Sequence, residues 1–195
     1  MGFDKSSLSN YFKYAFIPYF IIYILAVLLT PSTSSIITMF TYALLILYTY
    51  LFHILLHLAP YPFDLHMRYH HAEEFQNSTE ELIAFWIEVL VDCGMFVIFY
   101  FIKEALNLKF LDNRVIVFIG MMYVSVHMIN YSTFHVSPSH CLHHTSEKIV
   151  GNYWPDVCDH IFDTNLGDSF ENNDHFIING LCAFLLTKAL FKTSS

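Results

Sequence analysis

The chain has 195 residues, enough for one domain, of which 55% are hydrophobic and only 13% charged. A soluble domain carries about 25% charged residues, so this composition, with a mean hydropathy of +0.47, points to an integral membrane protein. The net charge of −8 comes without a basic patch and argues against nucleic-acid binding. Four scattered cysteines (Cys93, Cys141, Cys158, Cys182) with no CxxC argue against a disulfide scaffold.

No Asp, Glu, Lys or Arg occurs between Lys13 and Asp64, which leaves room for two bilayer crossings of roughly 20 residues each. The apolar runs are Tyr11–Leu29, Ile36–His57, Leu82–Ile102 and Val115–Phe134. A short Pro-Ser-Thr-Ser-Ser turn (31–35) joins the first two as a helical hairpin. The charged segment Lys103–Arg114 joins the last two. A fifth run, His175–Phe191, is broken by Gly180 and Lys188 and reads as an amphipathic helix on the membrane face or a fifth crossing, the former preferred. Met1-Gly2-Phe3-Asp4-Lys5-Ser6 matches the loose N-myristoylation pattern, read as chance agreement in a chain already anchored by helices. The expected fold is all-α: a four-helix membrane domain with a histidine-rich cytosolic helical cap.

Ten of the twelve histidines fall in four clusters: His53 and His57; His66, His70 and His71; His127 and His135; His140, His143 and His144. Residues at i, i+3 and i+4 share one face of a helix. Imidazole is a ligand for Zn, Cu, Fe and Ni. With four crossings, the second and fourth apolar segments leave the membrane on the same side, so every cluster lands there. Eight to ten imidazoles exceed the roughly four to six that one ion accepts, so the count predicts two ions. HExxH is absent, and with it the arrangement of the zinc proteases. A lipid-facing site with no evident nucleophile suits O2 activation better than hydrolysis.

The order of these motifs resembles the fatty acid hydroxylase/sterol desaturase superfamily: HxxxH (His53–His57), a cluster ending in HH (His66, His70, His71), a lone helix histidine (His127), and HxxHH (His140–His144). The tail, with Gly151-Asn152-Tyr153 and then Asp159-His160-Ile161-Phe162-Asp163-Thr164, is similar to methylsterol oxidases. The resemblance makes residues 1–195 one such domain with its core at about 50–164. It implies a non-haem di-iron centre (zinc as a substitute) held by His53, His57, His66, His70, His71, His127, His135, His140, His143 and His144. It also implies O2-dependent oxidation of a lipid, electrons from cytochrome b5 or an NAD(P)H reductase, and residence in the endoplasmic reticulum with the histidines facing the cytosol.

The chain departs from the family pattern in three places. The second cluster is HxxxHH where HxxHH is usual, Tyr131 stands four residues after His127, and Phe162-Asp163-Thr164 replaces Phe-Gly-Thr.

Metal-bound histidines usually donate their second N–H to a carboxylate or carbonyl. Asp159 is the first candidate for that role, with Asp156 and Asn152 behind it, while His160 and His175 are read as non-ligands. Glu88 and Asp92, i and i+4 in the third apolar run, are costly there and so functional or paired. They could orient a histidine, carry protons or bond another helix. Lys and Arg divide four to three between the histidine side and the other, which barely orients the chain. The Asn77-Ser78-Thr79 sequon lies on the histidine side and stays bare on a cytosolic reading. The rival readings are a histidine-rich metal transporter and a catalytically inactive family member.

Overall fold

The computed structural model describes residues 9–71, 77–145, 156–164 and 170–192, among which there are only helices, turns and loops. Five helices are long and apolar enough to cross a bilayer: α1 (Tyr11–Leu29), α2 (Ser35–His57), α3 (Ser78–Ala105), α4 (Asn113–Thr133) and α7 (His175–Lys192). Two short helices, α5 (Pro138–Thr145) and α6 (Asp156–Phe162), lie between α4 and α7. The apolar periods therefore place the first four long helices closely, and capping residues explain where α3 and α4 begin. Asn77 caps α3 by accepting from the backbone N–H groups of Thr79 and Glu80 at 3.0 and 3.1 Å. Asp112 caps α4 by accepting from Arg114 N–H at 2.8 Å.

The first two helices form the expected hairpin. Thr30 closes α1 through its hydroxyl, which donates to Ala26 O at 3.1 Å and lies 2.8 Å from the Thr38 hydroxyl of α2. The turn they bracket touches the α3–α4 connection, where Thr33 Oγ1 donates to Asp112 at 3.3 Å. One end of the bundle thus carries both short connections. The other receives the C-terminal ends of α2 and α4.

At the centre stands α4, whose Val115, Phe118, Ile119, Met122, Tyr123 and Val126 are buried. Gly120 allows its close approach to α3, since a Cβ there would meet the Phe96 ring at 3.0 Å. The outward faces remain apolar: Leu28, Ile36, Leu55, Leu90, Phe101 and Leu185 are all exposed. A bundle with an oily exterior and its backbone bonded within helices is built for lipid.

The fifth run is placed differently from the preferred expectation. It packs along α1 and α4 and runs the length of the bundle, from Phe176 against Tyr19 to Phe191 beside Lys103 and Arg114. Its packing depends on Gly180, where a Cβ would come within 2.1 Å of Ile22 Cδ1. A polar ladder fixes its register: Asn130 Nδ2 donates to Asn179 Oδ1 at 2.9 Å, and Asn179 Nδ2 donates to Ser125 Oγ at 3.0 Å. The break at Gly180, read in the sequence as a weakness, is a point of close helix contact. Residues 1–6 with the myristoylation pattern, and Gly151-Asn152-Tyr153 of the tail, lie outside the described residues.

Candidate metal centre

Four segments bring histidines to the end of the bundle opposite the short connections. His53 and His57 occupy successive turns at the end of α2, and His127 lies near the end of α4. His140, His143 and His144 lie on α5, where the i, i+3, i+4 spacing forms one helical face as expected. The segment bearing His66, His70 and His71 is a π-helical turn, His66–His70, closed by His71 N–H donating to His66 O at 3.3 Å. A π-turn takes up an additional residue. It therefore absorbs the extra residue that makes this cluster HxxxHH, and all three rings still meet the others. The α4 backbone is also π-wound from Val126 to Thr133, around His127.

Nine of the ten histidines proposed from the sequence converge. His53, His57, His66 and His143 form a buried set whose ligand nitrogens lie within 4.8 Å of one another. By the same measure His70 groups with His140 and His144, and separately with Glu88 and His127. His66, His70 and His71 form a fourth group, which shares His66 with the first and His70 with the other two. His135 is the exception. A left-handed backbone (φ 49°) turns the chain there between α4 and α5, and its exposed ring lies on the rim of a cavity, outside every ligand group. His160 stacks on Phe170 and His175 packs against Tyr131 and Phe176, also outside these groups.

The nitrogens stand at separations that one ion or one shared proton would bridge. His53 Nε2 and His66 Nε2 are 3.0 Å apart, His70 Nε2 and His127 Nε2 are 3.0 Å apart, and His140 Nε2 and His144 Nε2 are 2.9 Å apart. Two nitrogens bound at right angles to one ion at about 2.1 Å stand about 3 Å from each other. Among the described residues, the buried His71 Nε2 has no hydrogen-bond partner. Buried polar atoms are rarely left so. Burial, reinforced by neighbouring imidazoles, holds the rings of His66, His70 and His140 well below the usual histidine range. Neutral rings with free lone pairs are the form that binds metal. The donor set therefore fits a metal ion, and its imidazole character suits iron, zinc, copper or nickel.

Carboxylates complete the arrangement. Asp92 Oδ2 lies 2.7 Å from His127 Nδ1, and Glu88 Oε1 contacts His70 Nδ1 while standing 3.8 Å from His127 Nε2. Of the roles open to this pair from the sequence, orienting histidines is the one the geometry displays; nothing in the sequence indicated which rings they meet.

Asp159, the leading sequence candidate, is fully buried. It accepts from Thr164 Oγ1 at 2.6 Å, and Thr164 is 2.9 Å from Tyr50 OH. Tyr50 precedes His53 by one turn of α2, so Asp159 anchors α6 to the helix that carries the first two histidines. Asp156 accepts from Tyr19 OH at 2.8 Å and Asn173 Nδ2 at 3.0 Å, tying α6 to α1 and to the start of α7.

A cavity of about 840 Å³ opens beside His70, His140 and His144. His53, His57, His66 and His143 do not line it, so only one of the two ligand neighbourhoods faces the cavity. Fold and site together define a class: an all-helical bundle of membrane-spanning character with a buried polyhistidine centre at one end. No family model, curated protein or solved structure matches the chain.

Proposed function

We propose that the protein is a membrane oxidase that uses O2 to oxidise a lipid, a fatty acyl chain or sterol, by hydroxylation, with desaturation and methyl oxidation as related outcomes. The observation that carries this reading is the convergence of nine imidazoles from four segments at one end of an oil-faced bundle, beside a cavity. Two adjacent ligand neighbourhoods support a pair of ions, the number to which the histidine count points. When bound, a pair of irons supplies the electrons and oxidising power that O2 cleavage and attack on an unactivated C–H bond require, which side chains cannot supply.

The chain's own residues do the rest. His53, His57, His66 and His143 would hold one ion; His70, His140, His144 and His127 would hold the other, with His71 between the sets. Asp92 and Glu88 fix two rings in orientation. The buried surroundings exclude water from the inner set. The substrate reaches the cavity from the bilayer, its chain against Phe85 and Ala84.

The transporter reading is weaker because ligand groups along the bundle are needed to pass an ion through it. Among the described residues all the groups lie at the histidine end. On the proposed reading four or five helices cross the endoplasmic reticulum membrane, the histidines face the cytosol, and a cytochrome b5 or NAD(P)H reductase delivers electrons.

The test is expression in a host that lacks the activity. Purified protein should carry about two irons per chain, the number inferred from ligand count, and the host should gain an oxidised lipid that His143→Ala abolishes. Protein free of metal would point to a scaffold, and metal flux lost in His143→Ala without a lipid change would point to a transporter.

A further inference from the structure

The cavity beside His70, His140 and His144 is distinguished by its charge as well as its size. Its volume of about 840 Å³ falls within the roughly 300–1,000 Å³ of small-molecule sites. One wall is a single face of α3, with Glu81, Ala84, Phe85 and Glu88 at i, i+3, i+4 and i+7. The two carboxylates stand about 10.5 Å apart along the helix axis at 1.5 Å per residue. Glu88 is buried at the inner end and committed to His70, whereas Glu81 is exposed and lies at the mouth. Ser132 and Thr133 also line the cavity; the Thr133 hydroxyl donates to Met128 O at 2.8 Å and that of Ser132 lies 3.1 Å from His127 O and 3.5 Å from Glu88 Oε1, so the proton of each is engaged and its oxygen is left as an acceptor. No Lys or Arg lies among the described lining residues.

This is a site lined by acceptors, a carboxylate at its mouth, and the Tyr69 and His135 side chains, with no Lys or Arg to meet an anion. Ions held by the imidazoles would add positive charge at the inner end only, two helical turns from Glu81. A headgroup at the mouth therefore meets Glu81, and a negative charge placed beside it weakens binding. We infer that the cavity takes a lipid whose polar end is a hydrogen-bond donor without negative charge, an alcohol or amine held by Glu81, with its apolar chain directed inward, and that it turns away lipid carboxylates and phosphates.

This inference rests on the lipid-oxidase reading but is tested by binding, without turnover. Metal-loaded protein in neutral detergent is given radiolabelled hexadecanol, hexadecylamine and palmitate at about pH 8, where the free carboxylate is ionised. The alcohol and the amine should each bind at least about tenfold more tightly than palmitate, given the cost of like charges. Glu81→Lys should move the alcohol-to-palmitate ratio at least about tenfold toward palmitate, with metal content unchanged, because Glu81 lies outside every ligand group. Palmitate binding as tightly as hexadecanol to the wild type would overturn the inference. So would a ratio that Glu81→Lys leaves unmoved, or no binding by any of the three. A protein that prefers the alcohol but oxidises no lipid would instead overturn the proposed activity and leave this assignment of the cavity standing.

Discussion

His70 and His127 face each other through their Nε2 atoms at 3.0 Å, while the Nδ1 of each ring is held by a carboxylate, Glu88 for His70 and Asp92 for His127. A carboxylate beside Nδ1 keeps the proton there and leaves a lone pair on Nε2. Two lone pairs aimed at each other over 3 Å repel unless a cation lies between them. The pair of acids on α3, one turn apart, thus prepares two rings from different segments to share a positive charge. Replacing that charge by a single shared proton is the competing arrangement, and metal binding would displace it.

Asp92→Asn and Glu88→Gln should each weaken metal binding by about 10- to 100-fold, the usual cost of losing a partner behind a metal-bound histidine. Competition against a chelator of known affinity measures this directly. His135→Ala, outside the ligand groups, should leave affinity unchanged. Equal loss in all three variants would mean that the acids act on the fold rather than on the rings.

Acid should destabilise the metal-free protein. Burial first, and then neighbouring charge, pushes His71 down to about 3, His143 to about 2 and His144 to about 4. An unfolded histidine titrates near about 6.5, so below that pH the unfolded chain binds protons that the folded chain refuses. The stability from these rings is complete above about pH 6.5 and is lost progressively as pH falls toward their folded values. Asp156, raised to about 6 by burial, works in the opposite sense between about pH 4 and 6, while His66, His70 and His140 are held low by burial as well and add to the effect of the three rings. Thermal midpoints in detergent should fall from about pH 7 to about pH 5; a level or rising profile would contradict the packing of the centre.

The placement of α7 is testable at Gly180. A methyl there must displace the end of the Ile22 side chain, so Gly180→Ala should cost about 1–3 kcal/mol, the usual range for overpacking, and Gly180→Leu more. Ile22→Ala should recover part of the loss by opening the space. Additive losses in the double variant would separate α7 from α1.

Orientation is tested at Asn77. Counting α7 as a crossing moves Lys188 and Lys192 to the end that already holds Lys103, Lys109 and Arg114, so the Lys and Arg division becomes four on the histidine side and five on the other. That small bias now leans against a cytosolic histidine face, and electron supply alone supports the proposed orientation. With the histidines in the cytosol, Asn77 carries no glycan in a eukaryotic host. A mass shift removed by endoglycosidase and absent in Asn77→Gln would place the centre on the lumenal side.

Local chemistry made much of this molecule readable in advance. The absence of charge from Lys13 to Asp64, the four apolar runs and the helical spacing of the histidines are properties of neighbouring residues. They delimit the first four long helices, and because the second and fourth helices exit alike, they put the histidine clusters at one end. The remainder arises between residues far apart in the chain. Asp92 meets His127 across 35 positions, Tyr19 meets Asp156 across 137, and Gly180 meets Ile22. Hydropathy and periodicity report the solvent each residue prefers, not its partner. Only the packed helices decide which acid stands behind which ring, that the fifth run joins the bundle, and that His135 turns away from the centre.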